Sequence, residues 1–352
     1  ELAELGAAYD SGALSNRNLI INGAMQLDQR NGAASVTPTA DQTYTIDRFS
    51  ARLNNASKYS VEQVTDSPSG FYKSLKVTSA AATTPGTNDY YQINTPIEGY
   101  ITNQLAQGSS AAKQFTLSFY VKSSLTGTFG GAYSNNAGDR FYAWTYTIDA
   151  ANTWERKSIT ITGATDGSWE STTNSGMWVY WTLGAGSGVQ AAAGAWGTSF
   201  KRGPTGATNV VATSGATWQI TGVQLELGTE ATPFEHRSFA DELLLCSRYY
   251  QEISGGSDAF TFACKAQGSD GVDATVTLRT PLRAAPTFNS INSRYFNDGT
   301  YVASSSTTPT SSQFSENNGM CVLRCTGFTG LTNNEVGVWG PVSNKLTIDA
   351  EI

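Results

Sequence analysis

Gln114 to Lys122 reads QFTLSFYVK. Phe115, Leu117, Phe119 and Val121 alternate with Thr116, Ser118, Tyr120 and Lys122. A period of two puts the first set on one face of a β-strand and the second on the other, where a helix would need apolar residues three and four apart. Outward from this stretch the signal repeats. On its N-terminal side strands are expected in Thr43 to Leu53, Ser60 to Val64, Lys73 to Thr78 and Tyr90 to Ile93, after Leu19-Ile20-Ile21 and the turn pair Asn22-Gly23. On its C-terminal side they are expected in Thr128 to Tyr133, Phe141 to Ile148, Glu155 to Ile161, Gly176 to Leu183 and Trp218 to Leu227. In the last of these, Trp218, Ile220, Gly222, Gln224 and Glu226 are expected opposite Val223, Leu225 and Leu227. No helical crossover separates the strands, which argues against a parallel α/β fold. The prediction is a mainly β protein: an antiparallel jelly-roll-like β-sandwich, one linking helix, and a smaller C-terminal β domain.

Composition agrees. Of the 352 residues, 39 % are hydrophobic and 11 % aromatic, enough to build a core. Only 14 % are charged, so Ser, Thr, Asn and Gln must supply much of the surface. The net charge of −7 leaves no global basic surface to neutralise phosphates, and no nucleic-acid partner is expected. No stretch approaches the roughly 20 apolar residues of a membrane span, so no membrane insertion is expected. The chain opens on Glu1-Leu2-Ala3 without Met or the marks of a signal peptide, and is expected to continue something longer. Cys246, Cys264, Cys321 and Cys325 are too sparse for a disulfide framework and lack the partners of a zinc site. Buried thiols are expected, with Cys321 and Cys325 on one side of a strand.

Four segments are expected. Residues 1–17 form a lead-in, with Leu2, Leu5 and Tyr9 at helical spacing as the end of a stalk. Residues 18–233 form the sandwich. Residues 234–255 hold the linking helix over Phe239 to Tyr250, capped by Ser238 with Asp241 three residues on, and with Phe239, Leu243, Cys246 and Tyr250 on one face. Residues 256–352 form the second β domain, with strands at Ala259 to Lys265, Val272 to Arg279, Cys321 to Cys325, Glu335 to Trp339 and Lys345 to Ile352. Ala303 to Ser312 is expected as an exposed loop. Gly184 to Gly215, rich in Gly, Ala and Thr, is too long for a plain connection and is expected to serve function or packing.

Several motifs carry a resemblance. Asn16 to Arg30 (NRNLIINGAMQLDQR), Tyr44 to Phe49 (YTIDRF), Ile220 to Gly228 with Ala231 to Arg237, Glu242 to Tyr250, Pro281 to Thr287 and Ile348 to Ile352 follow in the order seen in a module of bacteriophage tail-fibre and virion structural proteins, which this chain resembles over nearly its whole length. The resemblance implies a carbohydrate-binding-like jelly roll at the distal part of a tail or other surface fibre. The protein would be made in the host cytoplasm and assembled as a homotrimer. Its implied partners are host cell-surface polysaccharide or lipopolysaccharide, and other virion proteins through the upstream region. The alternative is a structural or adaptor component that packs fibre parts.

The residues offer little for catalysis. His236 is the only histidine, and its neighbour Ser238 is better used as a helix cap. A glycosidase would need two carboxyl groups across a cleft, and sequence pairs none of Asp28, Asp47, Asp139, Asp149, Asp166 and Glu170. A glycan-degrading enzyme is therefore a minor alternative. No cofactor and no metal are expected. Glycan binding asks instead for flat rings beside amides or carboxylates. Tyr142, Trp144 and Tyr146 recur with period two on one strand face. Trp169 and Glu170 lie in the polar segment DGSWESTTNSG, and Trp196 in the long Gly-rich segment. These six are the candidate glycan contacts, with Trp169 and Trp196 foremost because their surroundings are polar. Trp178, Trp181 and Trp218, in apolar strands, are expected in the core.

Overall fold

The computed structural model describes residues 16–254, 262–289, 291–297, 300–303, 308–314, 319–341 and 345–351. Leu2, Leu5 and Tyr9 lie outside the described residues. The chain divides into two compact units, Glu1–Glu242 and Leu243–Ile352, and the division falls within the helix Phe239–Ser247.

The first unit is a two-sheet antiparallel sandwich. Its strands are β1 (Thr43–Ile46), β2 (Phe49–Leu53), β3 (Tyr59–Val64), β4 (Ser74–Ser79), β5 (Tyr90–Glu98), β6 (Phe115–Ser123), β7 (Gly127–Asn135), β8 (Phe141–Ile148), β9 (Glu155–Ile161), β10 (Ser175–Ala185), the two-residue β11 (Gln190–Ala191), β12 (Trp196–Gly197) and β13 (Gly203–Pro204), and β14 (Thr217–Leu227). One sheet runs β1-β2-β5-β10-β7-β8-β12 and the other β3-β4-β14-β6-β9, while β11 and β13 pair in parallel as a small separate ribbon. The alternation in β6 places Phe115, Leu117, Phe119 and Val121 in the core, all fully buried. Phe119 meets Trp144, Tyr146 and Trp181 of the facing sheet at ring-centroid distances of 6.0, 5.2 and 6.0 Å.

Three sequence expectations are corrected here. Thr43 to Leu53 is a hairpin, turning at Asp47-Arg48, where Arg48 has φ +69°. Leu19-Ile20-Ile21 is not a strand. Leu19 N–H bonds the Leu225 carbonyl at 2.8 Å and its side chain enters the core, while the turn at Asn22 forms as expected, with Met25 N–H on the Asn22 carbonyl at 2.9 Å. In β14, Trp218, Ile220, Val223 and Leu225 all face the core, because a bulge between Thr221 and Gln224 inserts a residue and reverses the parity. Gly222 sits in that bulge with φ +61°, a conformation that disfavours any residue with a Cβ.

The helix spans Phe239–Ser247, shorter than expected, because Tyr250 already begins a strand. Ser238 caps it, its hydroxyl accepting from Asp241 N–H at 3.1 Å and donating to the Asp241 carboxylate at 2.7 Å. Phe239 is 58 % exposed and does not share the buried face, whereas Glu242 is buried, its carboxylate accepting the Asn22 N–H.

The second unit carries β15 (Tyr250–Ser254), β16 (Phe262–Gln267), β17 (Gly271–Thr277), β18 (Thr287–Phe288), β19 (Ser293–Asn297), β20 (Thr300–Ala303), β21 (Thr310–Phe314), β22 (Met320–Cys325), β23 (Val336–Pro341) and β24 (Lys345–Asp349). They form the sheets β15-β24-β18 and β20-β19-β23-β16-β17-β22-β21. Thr310–Phe314 pairs with β22, so the described part of the expected Ser/Thr-rich loop is partly strand. Cys321 and Cys325 share the buried face of β22, and burial pushes their thiols up to about 11 and about 12. All four cysteines are buried, and none forms a disulfide.

Candidate functional site

Tyr142, Trp144 and Tyr146 do share one face of β8, but it is the core face. Trp144 is 2 % exposed and Tyr146 7 %, and the Tyr146 hydroxyl accepts from Trp218 Nε1 at 2.9 Å. Contrary to the expectation, both rings pack against Phe119 of the facing sheet, on the side of β8 turned away from any ligand. Alternation tells which residues share a face, not which face is buried.

Trp169 and Trp196 come together, 5.8 Å apart and edge to face at 84°. Tyr142, 9 % exposed, adds its ring 5.3 Å from Trp196. Trp196 is placed by β12, which pairs with Phe141 and Tyr142 at the sheet edge. Both indole N–H groups are bound: Trp196 donates to the Thr162 carbonyl at 2.7 Å and Trp169 to the Asp166 carbonyl at 3.0 Å. Both rings are half-buried against the core. The loop beneath Trp169 is tied by Arg140, which pairs with Asp166, and by the Asp139 carboxylate, which accepts from Asn135 Nδ2 and Ser168 N–H. Glu170 is half-buried, and its carboxylate accepts from Thr172 Oγ1 at 3.2 Å rather than joining the rings.

A second surface lies on the outer face of the seven-stranded sheet. Alternation in β10 sends Met177, Val179, Trp181 and Leu183 into the core between the sheets, so Trp178, expected in that core, Tyr180 and Thr182 lie on the other face of the sheet, where they too are buried. They are joined there by Arg52 of β2 and by Gln92 and Asn94 of β5, in register across the sheet. Trp178 and Tyr180 stack at 17°, and the Arg52 guanidinium stands 5.6 Å from the Trp178 ring centroid while pairing with Asp41 through two bonds of 2.9 and 3.0 Å.

The segment around Phe200 and Arg202 crosses this face. The Arg202 carbonyl accepts from Gln92 Nε2 at 2.5 Å and from Thr182 Oγ1 at 2.8 Å. Its guanidinium lies over the rings of Tyr90, at 3.8 Å, and Phe200, at 4.5 Å. Phe200 in turn meets Tyr180 and Phe141 at 5.7 and 6.0 Å. Burial, together with the neighbouring Arg52 charge, lowers the Arg202 pKa from its usual value, against the opposing pull of Tyr90, Tyr180 and Asp41. Three buried atoms here have no hydrogen-bond partner: Gln92 Oε1, Asn94 Nδ2 and Arg202 Nη1. An unmade bond of this kind costs about 1–3 kcal/mol. One acceptor and two donors beside stacked rings are the groups that a ligand with hydroxyls on an otherwise apolar ring would pair, and here they lie covered by the Phe200–Arg202 segment.

The sequence reading missed Tyr90, Gln92, Asn94, Arg52 and Arg202. One signal was present: GMWVYWTL is apolar on both faces, which requires a cover on both sides. No spacing connects that strand to the three other segments that meet it. Among the described residues no group of three or more His, Cys, Asp and Glu could hold a metal ion. No helix among them is long and apolar enough to cross a membrane.

No protein-family model matches the chain, and no curated protein is similar to it in sequence. Solved structures are similar at a distance. The enzymatically active domain of tailspike protein 4 from bacteriophage CBA120 is 13 % identical with a TM-score of 0.33, and the match covers 60 % of this chain but only 21 % of that one. A putative sugar binding protein from Bacteroides thetaiotaomicron is 13 % identical with a TM-score of 0.36, covering 60 % of this chain and all of that one. The family 11 carbohydrate-binding module of a cellulosomal cellulase from Clostridium thermocellum is 13 % identical with a TM-score of 0.27, covering 57 % of this chain and 100 % of that one.

Proposed function

We propose that the first unit is a non-catalytic glycan-recognition module of a phage virion fibre, and that it binds host cell-surface polysaccharide or lipopolysaccharide through the outer face of the seven-stranded sheet. The observation that carries this is the set of buried, unpartnered groups Gln92 Oε1, Asn94 Nδ2 and Arg202 Nη1, covered by the segment whose Arg202 guanidinium lies on the rings of Tyr90 and Phe200, so that a sugar would reach them as that segment gives way. Arg202 is held there by ring contacts and not by a carboxylate, so its side chain can move aside or re-pair when a sugar arrives. The Trp169–Trp196 pair, half-exposed at the β12 edge, is the secondary contact.

The virion location and the homotrimer rest on the motif order between Asn16 and Ile352. In the alternative reading the protein packs fibre parts or bridges to another virion protein. One observation favours that alternative for the edge pair: both indole N–H groups are already bonded to backbone, as in rings used for packing. A glycan array of bacterial surface polysaccharides, run with the purified chain beside light scattering, tests the proposal. Binding to a defined glycan by a particle of three subunits is expected. A particle of one or two subunits contradicts the trimer, and silence across the array and toward whole cells contradicts recognition.

A further inference from the structure

On the outer face of the other sheet, Phe71, Tyr120, Phe234 and His236 line a pocket of about 370 Å³ together with Ser69 and Arg156. Its volume is at the low end of ligand pockets, suited to one or two sugar-sized rings. Phe71 is central: its ring lies 5.2 Å from Tyr120, 5.1 Å from Phe234 and 5.2 Å from His236. Phe234 and His236 meet at 4.9 Å. The position of Phe71 depends on Gly222, where a Cβ would come within 2.6 Å of its ring.

The polar group is Arg156, cross-strand from Tyr120. Its Nη2 donates to the Ala231 and Thr232 carbonyls at 3.2 and 2.7 Å, which orients the guanidinium without neutralising it. No carboxylate pairs with Arg156 among the described residues, in a chain of net charge −7. Aromatic walls alone would also suit a cation, but the arginine repels one. A pyranose with an anionic substituent satisfies both features, since the aromatic rings take its apolar C–H face and the guanidinium its carboxylate.

We propose that this pocket is a second saccharide site, selective for a carboxylate-bearing sugar such as a hexuronate. It shares no residue with the surface around Arg202, so either site can fail without the other. His236, the only histidine, reports on it directly: its imidazole protons give one set of NMR signals, unobscured by any other histidine. The full chain is titrated at fixed pH with D-glucuronate, D-glucose and acetate, as wild type and as Arg156→Gln, with thermal melting of both proteins recorded. Glucuronate should shift the His236 signals saturably, while glucose and acetate should each need about tenfold more or fail to saturate. Arg156→Gln should lose the preference for glucuronate over glucose. Should that variant unfold, Phe234→Leu, which removes a ring and keeps the charge, should weaken glucuronate by several-fold and leave the acetate response unchanged. No glucuronate shift, an equal response to glucose, or an equal response to acetate overturns the proposal.

Discussion

The guanidinium of Arg202 lies 3.8 Å from the ring centroid of Tyr90, and no carboxylate pairs with it among the described residues. The contact therefore carries the energy of a cation–π pair, about 0.5–1 kcal/mol where part of the surface is wet. A double-mutant cycle with Tyr90→Leu and Arg202→Met should return a coupling of that size in urea unfolding. Strict additivity would show that the stack contributes nothing.

Trp169 and Trp196 close the sheet edge as a pair. Trp169→Ala and Trp196→Ala should each cost about 1–3 kcal/mol, less than a fully buried tryptophan. Because the rings touch, the double variant should cost less than the sum. Cell adsorption should fall mildly with each, with the particle mass in light scattering unchanged. A lower mass for either variant would place these rings at a subunit contact.

Gly222→Ala should destabilise the first unit by about 1–3 kcal/mol, since φ +61° is unfavourable for alanine and the added methyl meets Phe71 and Tyr120 at 2.6 and 2.9 Å. Chemical denaturation reads this. An unchanged midpoint would mean that the bulge can rearrange.

Acid should loosen the loop that carries Trp169. The bond from Asn135 holds the Asp139 carboxyl below the ordinary 3.8, and Arg140 does the same for Asp166. A depressed folded-state value means that both groups contribute stability in full above 3.8, and that this is lost as pH falls through the lowered values. Trp169 fluorescence, taken as the difference between wild type and Trp169→Phe, should be flat above that range and change below it. A change centred near neutral pH would contradict the assignment.

The sandwich was legible because alternation is local. Phe115 to Val121 declare their face within nine residues, and the capped helix at Ser238 declares itself within four. Parity across an irregularity was not legible: the bulge at Gly222 reverses β14, and the turn at Arg48 splits one expected strand in two. The site was the least legible part. Tyr142, Trp144 and Tyr146 have the periodicity of a binding stripe and equally of a core layer, and only the approach of Phe119 and Trp218 from the facing sheet decides between them. Gln92 and Asn94 are neighbours on β5 but far from Arg202 in sequence, and the missing partners of all three are a property of three-dimensional neighbours alone.

Glycan binding by Arg202→Ala and Tyr90→Ala, measured beside wild type on the same array with melting curves to verify folding, tests the central claim most directly. Both variants should remain folded and lose about tenfold or more in affinity for the glycan that wild type prefers, equivalent to about 1.4 kcal/mol. Undiminished binding by both folded variants would contradict recognition through the outer face of the seven-stranded sheet.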